Sequence, residues 1–247
     1  MRVRSFTPAG SPRLMMGSLV QAAILIAAMG FGLFARTASA QDAATPTPGV
    51  IGTPGATAVC DPTKTPDAST VAATYTISSA DSNAQYQAEE ELAGKGANTA
   101  IGKTSAFIGT FYFDSSGKPV ACSRWDVDLR TLKSDESRRD NFLYTNTLET
   151  RTYPLATFIL TSVDGLNSPL VDGQQTTFTL IGDLTLHGVT KVVSWTAVVT
   201  LSGDEIKGTA DTAFDMPDFN ISPPKVGPVI SLDSHVKLHV DIVAKKA

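Results

Sequence analysis

The sequence predicts an all-β protein: an eight-stranded antiparallel barrel with one short helix in a crossover connection. Three observations carry this. From Val71 onward apolar and polar residues alternate with period two, in short runs separated by Gly, Asp, Asn, Ser and Pro, the pattern of an antiparallel sheet with one wet face. Helical periodicity is nearly absent. Eight or nine such runs in about 175 residues exceed the needs of a small sandwich, and closure into a barrel removes the exposed edges an open sheet would leave.

Ahead of the strands lie two segments of different character. Residues 1–40 hold four arginines and no acid, with an apolar run from Leu14 to Phe34 and small residues at Ala38-Ser39-Ala40. This is the layout of a secretory signal cut after Ala40; the rival is an uncleaved anchor, since the 21 residues of the run could just span about 30 Å of hydrocarbon. Residues 41–70 are rich in Pro, Thr and Ala without helix or strand period and form a linker. The folded domain is 71–247. Export to the periplasm, cell surface or exterior follows, with membrane association only through an uncleaved leader.

Without its first forty residues the chain keeps 16 basic and 24 acidic residues, so its net charge falls from −4 to −8. A basic footprint for nucleic acid is lacking. The two cysteines, Cys60 and Cys122, form a candidate disulfide in an oxidising compartment, the alternative being two free thiols.

The strand runs fall near 72–78, 84–92, 104–114, 122–130, 155–164, 174–187, 189–202, 205–214 and 229–243. The last is the most regular, with Ile230, Leu232, Val236, Leu238, Val240 and Ile242 on one face and Asp233, His235, Lys237, His239 and Asp241 on the other. One break, residues 134–145, is charged first and apolar later, and reads as a short helix or crossover loop.

Several motifs carry less than they promise. Ala97 to Thr104 satisfies a relaxed phosphate-loop pattern, but the residues after it alternate as a strand, whereas that loop must open a helix; no nucleotide is expected. His235 and His239 stand about 13 Å apart on a strand at about 3.3 Å per residue, too far to share a metal ion, and read as solvated exterior groups. Neither a nucleophile elbow nor a metalloprotease motif occurs. No catalytic residue, metal or cofactor is therefore assigned. Glu90 shares the parity of Tyr86, Ala88 and Leu92 and is a candidate inward-facing polar group, which would require a partner or a wet lumen.

The positive signal is an apolar inner stripe. Phe107, Phe111, Phe113, Trp125, Phe158, Leu160, Phe178, Leu180, Trp195 and Phe214 share the inner faces of successive strands, and Phe219 follows in a Pro-rich segment, 215–228, where it and Ile221 could form a lid. A packed core and a ligand-lined lumen both fit this stripe. Small residues at Gly109, Ala156, Gly182, Ala197 and Gly208 favour a cavity.

Longer stretches resemble the YceI family of exported lipocalin-like proteins. Arg139-Asp140, Phe142-Leu143 and Tyr153-Pro154-Leu155-Ala156-Thr157-Phe158 are similar to one family signature, and Gly182 through Lys191, with His187-Gly188 at its centre, to another; Asp218-Phe219-Asn220-Ile221 is a looser match. The resemblance covers roughly residues 71–245. It implies an eight-stranded barrel around an apolar channel that binds a long-chain isoprenoid or other amphiphilic lipid without known catalysis. The reading of the residues themselves assigns Arg139 and Asp140 to pinning the crossover helix at the barrel rim and His187-Gly188 to turning one strand into the next. Two departures stand out: Ser78-Ser79-Ala80-Asp81 replaces a usual His-Ser, and Asn220 stands where Gly is usual. A barrel with a filled lumen acting as an interaction module, and a lumenal enzyme using Glu90, are the alternatives; a dimer is compatible with the sequence.

Overall fold

The structure, a computed structural model, describes Cys60 and residues 66–224 and 229–247. The expected signal at 1–40, most of the expected linker at 41–70 and the end of the 215–228 segment lie outside the described residues. The strands are β1 (Ala73–Ile77), β2 (Asn83–Leu92), β3 (Gly96–Thr104), β4 (Phe107–Phe113), β5 (Arg124–Asp128), β6 (Leu155–Asp164), β7 (Gln175–Leu186), β8 (Val189–Ser202), β9 (Glu205–Asp215) and β10 (Val229–Lys246). The crossover between β5 and β6 holds a 3₁₀ turn, the helix α1 (Ser137–Phe142) and a wider π turn (Leu143–Thr147).

Ten segments make eight strands because two of the strands are bent. One edge of β10 pairs with β9; the other pairs with β2 over Val229–Asp241 and then with β1 over Ala244–Lys246. The outer edge of β2 pairs with β3, and that of β1 with β4. β1 with β2, and β3 with β4, are thus two interrupted strands of a closed antiparallel barrel. At the first interruption Val243 of β10 keeps its backbone partners: Ser78 N–H donates to its carbonyl at 2.8 Å, and its own N–H donates to Ser82 Oγ at 2.9 Å. The Ser-rich 78–82 turn therefore bends the wall without orphaning the ladder.

β3 differs from the expected arrangement, which began a strand only at residue 104. Its inward positions are Asn98, Ala100, Gly102 and Thr104, too small and polar to show as an apolar stripe. At Gly102 the reason is Tyr86 of β2, whose ring a Cβ there would strike.

The turns follow from backbone chemistry. β7 and β8 are joined by His187 and Gly188, with φ of 50° and 75°, the two positive φ values a tight I′ hairpin requires. Tyr153 packs on this turn, its ring 4.8 Å from that of His187. Asn220 is left-handed at φ 55° and ψ 27°, which accounts for Asn in place of Gly, the two residue types that adopt this conformation most readily.

At the base, Cys60 and Cys122 are joined by a disulfide with Cα atoms 5.2 Å apart, linking positions 62 residues apart. On the barrel's exterior, His235 lies 3.0 Å from Asp215, and His239 lies between Asp211 at 2.6 Å and Asp241 at 3.2 Å. Burial works against a charged His239, but the hydrogen bonds and charges of Asp211 and Asp241 outweigh it and raise its pKa above 6.5.

Two outcomes are expected. Replacing both cysteines by serine should lower the unfolding free energy by about 2–4 kcal/mol through the released loop entropy; coincident urea transitions for the two proteins would contradict this. A raised folded-state pKa means that the His239 contribution is complete below pH 6.5 and lost as pH rises through the folded value. Thermal midpoints should fall as pH rises through that window, and the His239→Gln variant should show a flatter profile.

Candidate ligand cavity

The lumen is divided by an aromatic floor. Trp125 of β5 stacks on Phe158 of β6 at 4.3 Å between ring centroids, and Trp195 of β8 meets Trp125 edge-on at 5.3 Å. Glycines make room for these rings: a Cβ at Gly182 would strike the Phe158 ring, and one at Gly109 would strike Trp125 Cβ. Below the floor the barrel is filled. Phe158, part of the stack, is fully buried, and Phe113, Leu160, Phe178 and Leu180 are buried near it, while Phe107, also fully buried, pairs with Val127 at the other end of β4. Phe111 packs on the same cluster, 5.9 Å from Trp125.

Above the floor lies an apolar cavity of about 740 Å³. Trp125 and Trp195 form its bottom together with Ala84, Ala156 and Val240; its walls are Tyr86, Ala88 and Ala100 from β2–β3, Leu184 and Leu186 from β7, Phe214 from β9, and Val236 and Leu238 from β10. The crossover covers it with Leu132, Phe142, Leu143 and Leu148, and Met216, Ile221 and Pro224 close another side.

Of the expected lining residues, Trp125, Trp195 and Phe214 border the cavity, whereas Phe111, Phe113, Phe158, Leu160, Phe178 and Leu180 belong to the packed core, and Phe107 is buried in it beside Val127 without bordering the cavity. Phe219 corrects the lid expectation in the same way. It is fully buried behind Phe214, its ring 4.8 Å away, and its carbonyl accepts from His187 Nδ1 at 3.2 Å; Ile221 is the residue that faces the cavity. The small residues also act differently from expectation. Gly109 and Gly182 accommodate the floor and Gly208 accommodates Val199, while the small residues that border the cavity include Ala156, Ala84, Ala88 and Ala100. Wall positions such as Leu184, Leu186 and Val236 share the inward parity visible in the sequence, but parity does not say how far along the barrel a residue sits.

The rim carries an ionic network. Glu90 points inward, with only 3% of its side chain exposed, and accepts from Arg139 Nη2 at 2.8 Å and from Asn98 Nδ2 at 2.7 Å. This supplies the partner that a buried carboxylate requires. Arg139 also meets Asp135 at 2.5 Å; burial opposes its charge, but the Asp135 and Glu90 carboxylates outweigh that and raise its pKa. Asp140 has a different task from Arg139. It accepts from Ser134 N–H at 3.0 Å and Ser134 Oγ at 2.6 Å, tying the crossover to itself, while Arg139 ties it to β2. The Pro154 carbonyl accepts from Leu129 N–H at 2.9 Å, closing the crossover's two ends on each other. Burial pushes the Tyr86 phenol up to about 12, so its hydroxyl remains protonated at the cavity wall.

A closed antiparallel barrel with an apolar cavity and, among the described residues, one short crossover α-helix is a lipocalin-like fold. The chain belongs to the YceI family, for the YceI-like domain model matches residues 75–244. It is 35% identical to a UPF0312 protein of Pseudomonas putida strain F1 over 127 residues, and 37% identical to protein YceI of Escherichia coli O157:H7 over 124 residues. These matches span 48% and 47% of this chain, and 62% and 60% of the relatives' lengths. Among solved structures, it is similar to a polyisoprenoid binding domain from Saccharophagus degradans, with TM-score 0.54 and 16% identity, covering 70% of this chain and 98% of that one. BcnA of Burkholderia cenocepacia is likewise similar, with TM-score 0.54 and 16% identity over 68% and 99% of the two chains. At such identity these likenesses show the shared fold.

Removing Arg139 would leave the Glu90 carboxylate buried without its counter-ion. Arg139→Ala should therefore destabilise the protein by about 3 kcal/mol, and a paired Glu90→Leu, Arg139→Met replacement should recover most of that loss. Chemical denaturation of the three proteins would measure both effects; equal losses in the single and double variants would refute this account.

Proposed function

We propose that this protein is an exported binding protein that takes up a long-chain apolar ligand, of the polyisoprenoid kind, in its barrel cavity. The observation that carries the proposal is the cavity itself, about 740 Å³, floored by two tryptophans and walled by aliphatic side chains. Its size lies within the range of about 300–1,000 Å³ usual for small-molecule sites. Each buried methylene contributes about 0.8 kcal/mol, so even a partly enclosed chain offsets the entropy lost on association. The similar fold of a polyisoprenoid binding domain supports the same class of ligand. The disulfide and the basic-then-apolar leader support export. Engagement of Glu90 by Arg139 and Asn98 supports binding over acid–base catalysis, because this buried rim carboxylate is committed to structure.

The test is organic extraction and mass spectrometry of protein recovered without detergent from the exported fraction. An isoprenoid or other long-chain lipid should co-purify, and Ala88→Phe, which adds a ring to the cavity wall, should lose it while keeping a native β-sheet circular dichroism spectrum. If no lipid co-purifies and added isoprenoid leaves the fluorescence of Trp125 and Trp195 unchanged, the proposal fails.

A further inference from the structure

The barrel wall is incomplete on one side of the cavity. β3 pairs with β2 along its whole length, but on its other edge it meets only Lys133, through a pair of backbone hydrogen bonds at Lys103. From Gly96 to Gly102 no strand lies beside that edge among the described residues. The space is covered instead by the crossover, whose Leu132, Phe142 and Leu143 border the cavity.

This cover is held unevenly. Near β4 it is fastened by the Lys103–Lys133 backbone pair and by Thr104 Oγ1 to Thr131 Oγ1 at 2.6 Å. Toward the barrel's mouth, the fastening is the Arg139–Glu90 ion pair, with Asn98 of β3 bonded to the same carboxylate oxygen of Glu90. The helix that carries Arg139 has six residues, far short of the roughly 12–15 needed for even marginal stability alone. Its position thus depends on this tertiary contact and on its caps.

We infer that ligand enters and leaves through the gap between the free edge of β3 and helix α1, with the Arg139–Glu90 pair as the latch that holds the cover shut. The inference rests on the cavity reading above. Arg139 acts as a positioning residue: it keeps Phe142 and Leu143 over the apolar space, and when it lets go the helix lifts as a flap fastened at Lys103–Lys133. The alternative doorway is the side closed by Ile221 and Pro224, which the latch does not touch.

A latch changes entry and exit together, whereas a lost ligand contact speeds exit alone. The test uses farnesol as the apolar probe, with stopped-flow quenching of Trp125 and Trp195 as the readout. Arg139→Ala should raise both association and dissociation rates by about tenfold or more, and Arg139→Lys should restore part of the difference. A second measurement avoids dependence on that variant's stability. Lys95, in the β2–β3 turn, and Asp135, in the crossover, both border the cavity, and the Asp135 carboxyl is held below its ordinary range by Arg139 first and more weakly by Lys95. Lys95→Cys with Asp135→Cys, joined by a short bis-maleimide, staples the gap while the native cysteines stay bonded to each other. Stapling should slow both rates by about tenfold or more. Farnesol binding whose rates ignore the staple, or an Arg139→Ala variant in which dissociation alone changes, would overturn the latch and favour the other doorway. A wild-type protein that does not bind farnesol would overturn the cavity reading and the latch with it.

Discussion

The stacking of Trp125 on Phe158, with Trp195 edge-on to Trp125, is the contact on which the interior depends. Three large rings from β5, β6 and β8 cannot share one level of an eight-stranded lumen unless neighbouring positions give up their side chains, and Gly109 and Gly182 do so. The stack divides the barrel into a solid lower half and a hollow upper half. The lower half supplies the burial that makes the fold stable, since each large apolar side chain taken from water contributes about 1.5–3 kcal/mol. The upper half can then remain open without loss of the barrel.

The hollow half is built with less redundancy. Its wall depends on β10, which alone joins β9 to the bent β1–β2 strand. Where β3 has no outer neighbour, closure passes from backbone ladder to side chains and a short helix. Backbone ladders are cooperative and uniform; a single ion pair between Arg139 and Glu90 is neither. A binding barrel needs a place where its contents can pass, and the exchange of strand for crossover concentrates that weakness at one site.

Much of this was legible in the sequence. Period-two alternation located β1, β2 and the strands from β4 onward, and put Glu90 on the inner face, where it meets Arg139. The break at 134–145 contained the helix, and His187-Gly188 formed the turn that its chemistry requires. What escaped has physical causes. β3 carries no apolar stripe because its inward residues, Asn98, Ala100, Gly102 and Thr104, are small or polar, and Gly102 has no side chain where the Tyr86 ring packs. The lining was only partly placed because alternation reports which face a side chain takes and not its height along the barrel axis. Trp125 and Phe158 have the same inward parity, yet one borders the cavity and the other lies under it. The crossover marks the open end, since it joins the ends of β5 and β6 there; apolar residues near those ends therefore line the space, and those near Cys122 pack the base.

The position of the disulfide has a mechanical meaning. β1 closes the barrel through only three residue pairs with β10, Tyr75 to Ile77 against Ala244 to Lys246, and it is the first strand of the domain. Tension applied through the preceding chain would unzip such a strand one pair at a time. Cys60 intercepts that load ahead of β1 and passes it to Cys122 beside β5, a covalent detour that leaves the closing strand slack. The barrel's seam is thereby relieved of strain from its own N-terminal segment, and the load enters at the packed end, away from the hollow one.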